Sequence, residues 1–451
     1  MKKIIFIILC QFFVINAQAQ NQSFKEWSPT PPMGWNSYDC YGSTVLESEV
    51  KANADYMARH LKKYGWEYIV IDIRWYVEND KAGGYNEVDP RFAIDQYGRF
   101  TPALNRFPSA LDGNGFKSLA DYIHSKGLKF GIHVMRGLPQ IAAEKKMPVL
   151  GTDGITCDMI CNHDSVCPWL RDTYTVDYTK RGAQEYYNSI FNLYAQWGVD
   201  YVKVDDIASP YHKGEVELVR HAIDQCGRPM VLSISPGEAP IRGINHIKAH
   251  ANLWRTTGDL WDTWPELKGH FSICAKWAPH VEPGNWADAD MLPLGLICLR
   301  SVHWEPHRCG LSKDEQMTMM NLWYIAKAPL MFGGELTEND KFTNYLLTNK
   351  RAIYIHDHSV NNRQVSSHDD QIIWSADDPQ SKVKYVAVFN TGDQGSQEIP
   401  IDLTAIGFDK NQKCRIENLW SGHKEGTYMG SNFRPSIASH ASRLYRITPV
   451  K

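Results

Sequence analysis

The sequence carries little net charge and, beyond its N-terminal segment, no long apolar run. The 48 Lys and Arg residues nearly balance the 51 Asp and Glu residues, which leaves a formal net charge of -3 at pH 7. This balance argues against nucleic acid as a partner, since phosphate binding needs a basic excess. Because no later segment is long and apolar enough to cross a bilayer, we expect no membrane span in the mature chain.

Internal repeats and low-complexity tracts are also lacking after the N-terminal segment. With 451 residues, 43% of them hydrophobic and 12% aromatic, the chain is long and apolar enough to bury a large core and a smaller second one. Disordered and fibrous classes of protein are therefore excluded.

The N-terminus has the three parts of a secretory signal peptide. Lys2 and Lys3 precede an apolar run of about 12 residues, and Ala17-Gln18-Ala19 is a small-x-small cleavage site. The run is shorter than the ~20 residues of a transmembrane helix. The residues before Cys10 lack the small side chains of a lipoprotein signal. We therefore expect residues 1–19 to be removed and the mature protein to be exported, to a periplasm or to the outside of the cell.

Ten cysteines are present, and Cys10 leaves with the signal peptide. Cys157, Cys161 and Cys167 lie close together around His163. Cysteine and histidine are common zinc ligands, but in an oxidising compartment a disulfide within this loop is the simpler interpretation. We predict a loop disulfide that uses one or two of these cysteines, with a connectivity that the sequence leaves open.

From about residue 31 to residue 349, short β-rich runs alternate with longer stretches of helical periodicity, which is typical of parallel β-α units. Apolar residues in the helical stretches recur at spacings of three and four, as in Val50, Ala54, Met57 and Leu61. About eight such units favour an α/β fold of the (β/α)8 TIM barrel type, because an open sheet seldom needs eight parallel strands. The predicted strands are residues 33–38, 66–75, 128–135, 200–207, 230–235, 251–256, 286–292 and 329–333.

After about residue 351 the pattern changes to short alternating runs divided by turn residues. This pattern predicts a C-terminal antiparallel β-sandwich domain of roughly 90 residues. The predicted organisation is a signal peptide at residues 1–19, a catalytic barrel at 20–355 and the β-sandwich domain at 356–451. Trp420 in the last domain is open to two interpretations, a core residue or a sugar contact.

Polar side chains close several of the predicted strands, at the end of the barrel where active sites lie. Lys203 and Asp205 alternate with Val202 and Val204, so the charged residues face the barrel interior and the valines face the helices. A buried ion pair that only fixes the strand register is the alternative interpretation. Other predicted strands end near Asp72, His133, Arg255, Asp259, Asp288 and Asp290.

Carboxylates at Asp205 and Asp259, with aromatic residues nearby, suit glycoside hydrolysis. One carboxylate attacks the anomeric carbon and a second protonates the leaving oxygen, without a metal or other cofactor. In such a site aromatic faces carry the sugar ring, and the aromatic residues near these positions are Trp35, Tyr38, Trp75, Trp254, Trp261 and Trp286. The competing chemistry is a metal-dependent hydrolase that uses carboxylates at Asp72, Asp205, Asp206, Asp288 and Asp290. Against it, Lys203 and Arg255 already supply positive charge.

Four motifs resemble those of glycoside hydrolase family 27, the α-galactosidase (melibiase) family. They are Met33-Gly34-Trp35-Asn36-Ser37-Tyr38, Lys203-Val204-Asp205, Arg255-Thr256-Thr257-Gly258-Asp259 and Trp286-Ala287-Asp288-Ala289-Asp290-Met291-Leu292. The resemblance extends from Pro32 to near the C-terminus. It implies a retaining exo-glycosidase, built on a barrel with a C-terminal β-domain, that hydrolyses terminal α-galactosides of oligo- or polysaccharides by double displacement.

The resemblance also implies a role for individual residues. Asp205 corresponds to the nucleophile, Asp259 corresponds to the general acid/base, and Tyr38 walls the sugar subsite. The further substrate-binding candidates are Asp72, His133, Lys203 and Arg255. Lys203 should lower the pKa of Asp205 and keep that carboxyl anionic, whereas the acid must hold its proton near neutrality. Retaining chemistry predicts that the two carboxyl groups lie ~5–6 Å apart.

Two departures from the family pattern bear on recognition of the sugar. Asp72-Ile73-Arg74 stands where the family usually has two successive aspartates that hold the C4 and C6 hydroxyls of galactose. Ser235-Pro236-Gly237 stands where it usually has Cys-Glu-Trp on the C2 side. Isomaltose-type α-glucans and β-L-arabinopyranosides, on which the family also acts, are therefore alternative substrates, and Ile73 suits a pentose. A glycan-binding protein without catalysis is a further alternative.

The other charged residues near these strand ends are expected to act through their neighbours. Arg74 and Arg136 are expected to pair with nearby Asp or Glu rather than to contact an acidic substrate. We expect three aspartates to support the site residues or Arg255 without taking part in the chemistry, namely Asp206, Asp288 and Asp290. His133, which replaces a tyrosine usual in the family, either donates to a sugar hydroxyl or stands behind the site.

Overall fold

The computed structural model of the protein describes residues 24–301 and 305–450. The signal peptide predicted for residues 1–19 lies outside these residues. Within the described part of the chain, no helix combines the length and the apolar character needed to cross a membrane.

Eight parallel strands form a barrel. They are β1 (Met33–Asn36), β2 (Tyr68–Ile71), β3 (Lys129–Met135), β4 (Tyr201–Asp205), β5 (Val231–Ile234), β6 (Leu253–Arg255), β7 (Trp286–Asp288) and β8 (Leu330–Phe332). Their hydrogen-bonded order is β7-β6-β5-β4-β3-β2-β1-β8. Just beyond β7, Leu292 forms a parallel bridge to Phe332 of β8, which closes the ring. The predicted TIM barrel is confirmed.

A helix follows each strand and covers the outside of the barrel. These helices are α1 (Glu47–His60), α2 (Lys117–Ser125), α3 (Ala183–Trp197), α4 (Lys213–Gln225), α5 (Ile244–His250), α6 (Trp264–Trp277), α7 (Lys313–Ala326) and α8 (Lys341–Leu347). Local sequence sets their ends. At α7 the Ser312 hydroxyl accepts from the Glu315 amide at 3.3 Å while the Glu315 carboxylate accepts from the Ser312 amide at 2.7 Å. Gly198, at φ 84°, ends α3 in the left-handed conformation that glycine tolerates best.

The alternation along β4 is the one that the sequence predicts. Val202 and Val204 pack into the main core between strands and helices. Tyr201 packs inside the barrel, and Lys203 and Asp205, on the same face, line a cavity at the mouth. The fold therefore brings both charged residues to the carboxyl end of the barrel.

An antiparallel β-domain follows the barrel. A further helix, α9 (Lys350–His358), leads directly into its first strand. The main sheet contains β9 (Val360–His368), β10 (Gln371–Asp377), β11 (Lys384–Asn390), β12 (Cys414–Asn418), β13 (Lys424–Tyr428) and β14 (Ser442–Pro449), in the order β9-β10-β11-β14-β12-β13. A second, two-stranded sheet pairs Gln397–Glu398 with Ser436–Ile437. The predicted C-terminal β-sandwich is confirmed.

The β-domain packs on the barrel through one face of its main sheet. Ala387 and Phe389 join the barrel core, whereas Val386 and Val388, on the opposite face, join a separate core inside the domain. Trp420 lies at this junction, where its indole donates to Asn321 of α7 at 2.7 Å. Of the two interpretations offered for Trp420, the structure supports packing.

The loop disulfide predicted among Cys157, Cys161 and Cys167 is not confirmed. Cys157, Cys161 and Cys167 are all free thiols in the structure. Cys161 lies 3.4 Å from His163 Nε2, while Cys167 packs with Ile73 at the wall of the cavity. The three thiols therefore have separate surroundings.

Candidate active site

A cavity of about 260 Å³ opens at the carboxyl end of the barrel strands. Six of the seven residues predicted from the sequence line it, namely Tyr38, Asp72, Lys203, Asp205, Arg255 and Asp259. His133 is completely buried and does not line the cavity. The strand ends therefore assemble one concave and polar site.

Asp205 is held by three donors. His133 Nε2 lies 3.0 Å from Oδ2, while the Ser235 hydroxyl and the Asp206 amide donate to Oδ1 at 3.0 Å and 2.9 Å. Burial alone would raise the pKa of Asp205, but the hydrogen bond and charge of His133, together with the charge of Lys203, hold it well below its usual range. Asp205 is therefore an anion fixed in one orientation.

Lys203 makes its direct contact with Asp72. Its Nζ donates to Asp72 Oδ2 at 3.0 Å, and Asn36 Nδ2 donates to the same oxygen at 2.6 Å. Burial opposes ionisation of Asp72, yet Lys203 lowers the pKa of this carboxyl below its usual value. The sequence predicted that Lys203 lowers the pKa of Asp205. The sign is right, but His133 is the stronger cause.

Asp259 lies on the other side of the cavity and is half exposed. Arg255 Nη2 lies 3.2 Å from Asp259 Oδ1, and Arg255 Nη1 lies 2.8 Å from Asp290 Oδ1. The side chain of Asp259 is 54% exposed, against 14% for Asp205. One carboxylate of the site is thus enclosed and the other faces solvent, where a leaving group would depart.

Asp290 supports Arg255, as predicted. Its Oδ2 also accepts from the Leu260 amide at 2.6 Å, which holds the segment that carries Asp259. Burial and the neighbouring Asp259 and Asp288 carboxylates raise the pKa of Asp290 to about 7, against the opposing charge of Arg255.

The remaining arginines pair with acids, as expected. Arg74 contacts Asp172 at 2.7 Å and Asp80 at 3.0 Å. Arg136 contacts Asp206 at 2.8 Å and Glu215 at 3.1 Å. All four contacts are buried, so neither guanidinium faces the cavity.

The aromatic residues proposed from the sequence as sugar platforms are mostly core residues, which corrects that expectation. The fully buried ones, at 0–1% exposure, are Trp35, Trp75, Trp254 and Trp286. Trp261 is 6% exposed and packs against Tyr38. Indole rings on strands are large enough to fill the barrel core, and only Tyr38 of the six lines the cavity.

Three residues that line the cavity were not predicted from the sequence, namely Tyr85, Trp169 and Asp39. Tyr85 and Trp169 lie on long loops without periodicity, and the Tyr85 hydroxyl is 3.4 Å from that of Tyr38. Asp39 directly follows Tyr38, and its Oδ2 is buried without a hydrogen-bond partner in the described part of the chain. Burial and nearby carboxylates raise the pKa of Asp39 well above its usual value. The sequence feature that could have predicted Asp39 as a cavity residue is its position directly after Tyr38.

The two departures from the family pattern both lie at the cavity. Ile73 lines it and packs in an apolar cluster with Met135, Cys167 and Leu170. A Cβ on Gly237 would lie 2.1 Å from the Thr257 carbonyl oxygen, so no side chain fits at that position in this conformation. The wall beside Ile73 is therefore apolar.

Three of the five carboxylates considered for a metal-dependent hydrolase are already paired with lysine or arginine side chains. Asp72 contacts Lys203, Asp206 contacts Arg136, and Asp290 contacts Arg255. These three carboxylates are thus balanced by cations of the protein itself, which makes them poor ligands for a dication.

Comparison with known proteins identifies related families. Residues 173–358 match the family model described as alpha galactosidase A, and residues 368–447 match that of the alpha galactosidase C-terminal beta sandwich domain. Alpha-galactosidase A of Cellvibrio japonicus is 28% identical over 98% of this chain and 97% of its own length.

Solved structures give higher identities. A family 27 β-L-arabinopyranosidase from Geobacillus stearothermophilus, determined in complex with arabinose, is 45% identical, with a TM-score of 0.92 over 95% of this chain and 99% of that chain. A Bacillus halodurans protein suggested to be an α-N-acetylgalactosaminidase is 46% identical, with a TM-score of 0.84 over 93% and 97% of the two chains.

Proposed function

Because the chain belongs to glycoside hydrolase family 27, we propose that this glycosidase is a retaining exo-enzyme that removes terminal β-L-arabinopyranosyl groups from oligo- or polysaccharides. The observation that carries the choice of sugar is Ile73, an apolar side chain in the cavity wall directly after Asp72. β-L-Arabinopyranose has the ring configuration of α-D-galactopyranose without the C6 hydroxymethyl group. An apolar wall suits a pentose, since it leaves no polar group of the protein unpaired.

In the proposed mechanism Asp205 is the nucleophile. One of its carboxylate oxygens attacks the anomeric carbon while Asp259 gives its proton to the glycosidic oxygen, and the bond between carbon and that oxygen breaks. The hydrogen bonds from His133 and Ser235 keep Asp205 oriented for attack. The product is a glycosyl ester on Asp205.

The second step releases the sugar. Asp259, now deprotonated, takes a proton from water as the water oxygen attacks the anomeric carbon, and the ester oxygen leaves as the carboxylate of Asp205. Two inversions at one carbon give net retention. Lys203 and Asp72 stand at the inner wall, where their hydrogen-bonding atoms can hold sugar hydroxyls.

Hydrolysis of terminal α-galactosides is the second candidate. It is favoured by the family-model matches and by Asp72, which keeps one of the two acids of the usual galactose-binding pair. Both candidates share Asp205, Asp259 and the retaining mechanism. They differ in whether the sugar carries a C6 hydroxymethyl group, which would face Ile73.

We also propose that the enzyme works after export. The support is the basic, apolar and small-residue pattern of residues 1–19. Cell fractionation with an antibody to the enzyme would locate it, and recovery of an unprocessed chain from the cytoplasm would contradict export.

The test of function is a panel of p-nitrophenyl glycosides that includes the β-L-arabinopyranoside, α-galactoside, α-glucoside and α-N-acetylgalactosaminide. We expect the highest kcat/KM on the β-L-arabinopyranoside, and loss of activity in Asp205→Asn. Asp121→Asn, on the exposed face of α2, is the matched control. Faster turnover of the α-galactoside would favour the second candidate, and binding without release of any sugar would reject both.

The stereochemistry is tested separately. Proton NMR during the first minutes of hydrolysis should show the β-L-anomer of arabinose before mutarotation. Appearance of the α-L-anomer first would contradict Asp205 as a covalent nucleophile.

A further inference from the structure

A cluster of two histidines and one glutamate lies on the outer wall of the barrel, away from the cavity at its mouth. Glu217 is on α4, and His246 and His250 are one turn apart on α5. The ligand atoms of the three side chains all lie within 4.8 Å of one another. None of these residues lines the active-site cavity. The mechanism proposed above makes no use of them.

The hydrogen bonds of His250 fix which ring nitrogen carries a lone pair. Its Nδ1 lies 2.7 Å from the backbone carbonyl oxygen of His246. A carbonyl oxygen can only accept, so Nδ1 carries the hydrogen and Nε2 is left as the free donor atom for a metal. This arrangement is typical of metal-binding histidines, whose second nitrogen is held by a carbonyl or carboxylate.

His246 has a comparable partner. Its Nδ1 lies 2.6 Å from the Tyr211 hydroxyl, and its Nε2 lies 3.0 Å from Glu217 Oε1. The rings of His246 and His250 are stacked, with centroids 4.0 Å apart and an angle of 21° between planes. With Nδ1 held by Tyr211, the nitrogen of His246 that faces Glu217 is the one that would bind a cation.

We propose that Glu217, His246 and His250 bind one divalent transition metal ion of the zinc class, which ties α4 to α5. Two imidazoles and one carboxylate form a ligand set that zinc takes with water in the fourth position. In a tetrahedral site the ligand atoms lie about 3.4 Å apart, given metal–ligand bonds of about 2.1 Å. Ligand atoms within 4.8 Å of one another can reach this spacing by a small side-chain movement.

The surroundings allow a cation to enter. Glu217 is exposed, and it borders with His250 a surface cavity of about 390 Å³. Lys213 Nζ lies 3.8 Å from Glu217 Oε1, but this exposed contact is weak and its partner can be displaced. Arg220, the other nearby cation, is paired with Asp224 at 2.7 Å. Asp224 therefore offsets the charge of Arg220 without the use of Glu217.

The chemistry of the three ligands also predicts which cations should not bind at this site. Magnesium and calcium prefer oxygen ligands, and this site offers two nitrogens. Zinc binding should therefore be selective against magnesium. Since the site joins two neighbouring barrel helices, the expected effect of the ion is on stability and not on turnover.

The test uses the full mature enzyme after treatment with EDTA and gel filtration. Titration calorimetry with zinc chloride should show one site per chain, and zinc at about a hundred times Kd should raise Tm by about 3 °C. His250→Gln should lose both effects. The matched control is His221→Gln, because His221 lies on α4 beside the same surface cavity and its Nε2 contacts the side chain of Gln225 at 2.7 Å. Magnesium should change neither quantity.

Three outcomes would overturn the proposal. These are no saturable zinc binding, zinc binding that His250→Gln leaves intact, or equal loss in His221→Gln and His250→Gln. If His250→Gln does not fold, Glu217→Gln gives the same readout, since its side chain is half exposed. Turnover of the p-nitrophenyl glycoside at 25 °C should be the same in His250→Gln and Glu217→Gln as in the wild type. This measurement checks that each variant is folded.

Discussion

His133 Nε2 lies 3.0 Å from Asp205 Oδ2, across the pairing of two neighbouring barrel strands. The imidazole is fully buried, and its Nδ1 has no hydrogen-bond partner among the described residues. The contact with Asp205 is thus the side-chain hydrogen bond that His133 makes within the described residues. The contact makes His133 a positioning residue for the proposed nucleophile.

Replacing His133 should move the acidic limb of the pH profile. The pKa of Asp205 is lowered in the folded enzyme, so the nucleophile is anionic above pH ~4 and is lost only at lower pH. His133→Met removes a hydrogen bond to a charged group, which is worth about 1.5–3 kcal/mol, and should shift the limb of kcat/KM upward by about one to two pH units. His133→Gln, which keeps a donor, should shift it less. Superimposable profiles for the two variants would show that the hydrogen bond is unimportant.

Asp72→Asn should destabilise the protein as well as reduce turnover. Asp72 is buried and holds the ammonium of Lys203 at 3.0 Å, so its replacement leaves a buried cation without its partner. The expected loss is about 3–5 kcal/mol in the free energy of unfolding, measured by urea denaturation. Lys203→Met in the same chain should recover part of this loss. If Asp72→Asn alone were as stable as the wild type, the ion pair between Asp72 and Lys203 would not stabilise the fold.

Asp39→Asn, a substitution of the same kind in the same cavity, should have the opposite effect on stability. The pKa of Asp39 is raised on folding, so the native state holds a proton that the unfolded chain releases above pH ~4. Stability is therefore lost as the pH rises, and the neutral amide removes this loss. The variant should be more stable than the wild type at pH 7 and equal to it at pH 3. Lower stability of Asp39→Asn at pH 7 would mean that Asp39 is ionised.

The pair Asp72 and Asp39 also shows what the sequence can predict of this site. Strand alternation and charged strand ends located Asp72, Lys203 and Asp205, because side-chain direction in a barrel strand follows from the position of its neighbours. The protonation of Asp39 depends on burial and on carboxylates brought from distant strands, which no local pattern records. The same holds for Tyr85 and Trp169, which reach the cavity from loops whose path depends on tertiary contacts.

Trp169→Ala should weaken substrate binding without a matching loss of turnover. Trp169 is 37% exposed at the cavity, and its ring centroid lies 6.5 Å from that of Tyr85. An aromatic face of this kind supports a sugar or aglycone by stacking, worth about 1 kcal/mol. KM should rise roughly fivefold, whereas Trp169→Phe should stay near the wild-type value. A drop in kcat with unchanged KM would place Trp169 outside the binding surface.

Chelation should leave catalysis intact. In the cavity Asp72 is paired with Lys203 and Asp290 with Arg255, and the double displacement proposed here uses two carboxylates without a metal ion. EDTA should not change kcat/KM at 25 °C. A loss of activity that magnesium or zinc restores would support the metal-dependent alternative.

Ile73→Asp should change the preferred sugar. The substitution places a carboxylate next to Asp72 at the wall where the C6 hydroxyl of a galactoside would lie, and one added hydrogen bond is worth about 1.5 kcal/mol. Activity on p-nitrophenyl α-galactoside should therefore rise roughly tenfold relative to the β-L-arabinopyranoside. Ile73→Ala, the control, removes bulk without adding an acceptor, so it separates steric exclusion from hydrogen bonding. Should Ile73→Ala alone produce the whole gain, the isoleucine excludes the hydroxymethyl group by its size. Unchanged or lower activity of Ile73→Asp on the α-galactoside would mean that this position does not select the sugar.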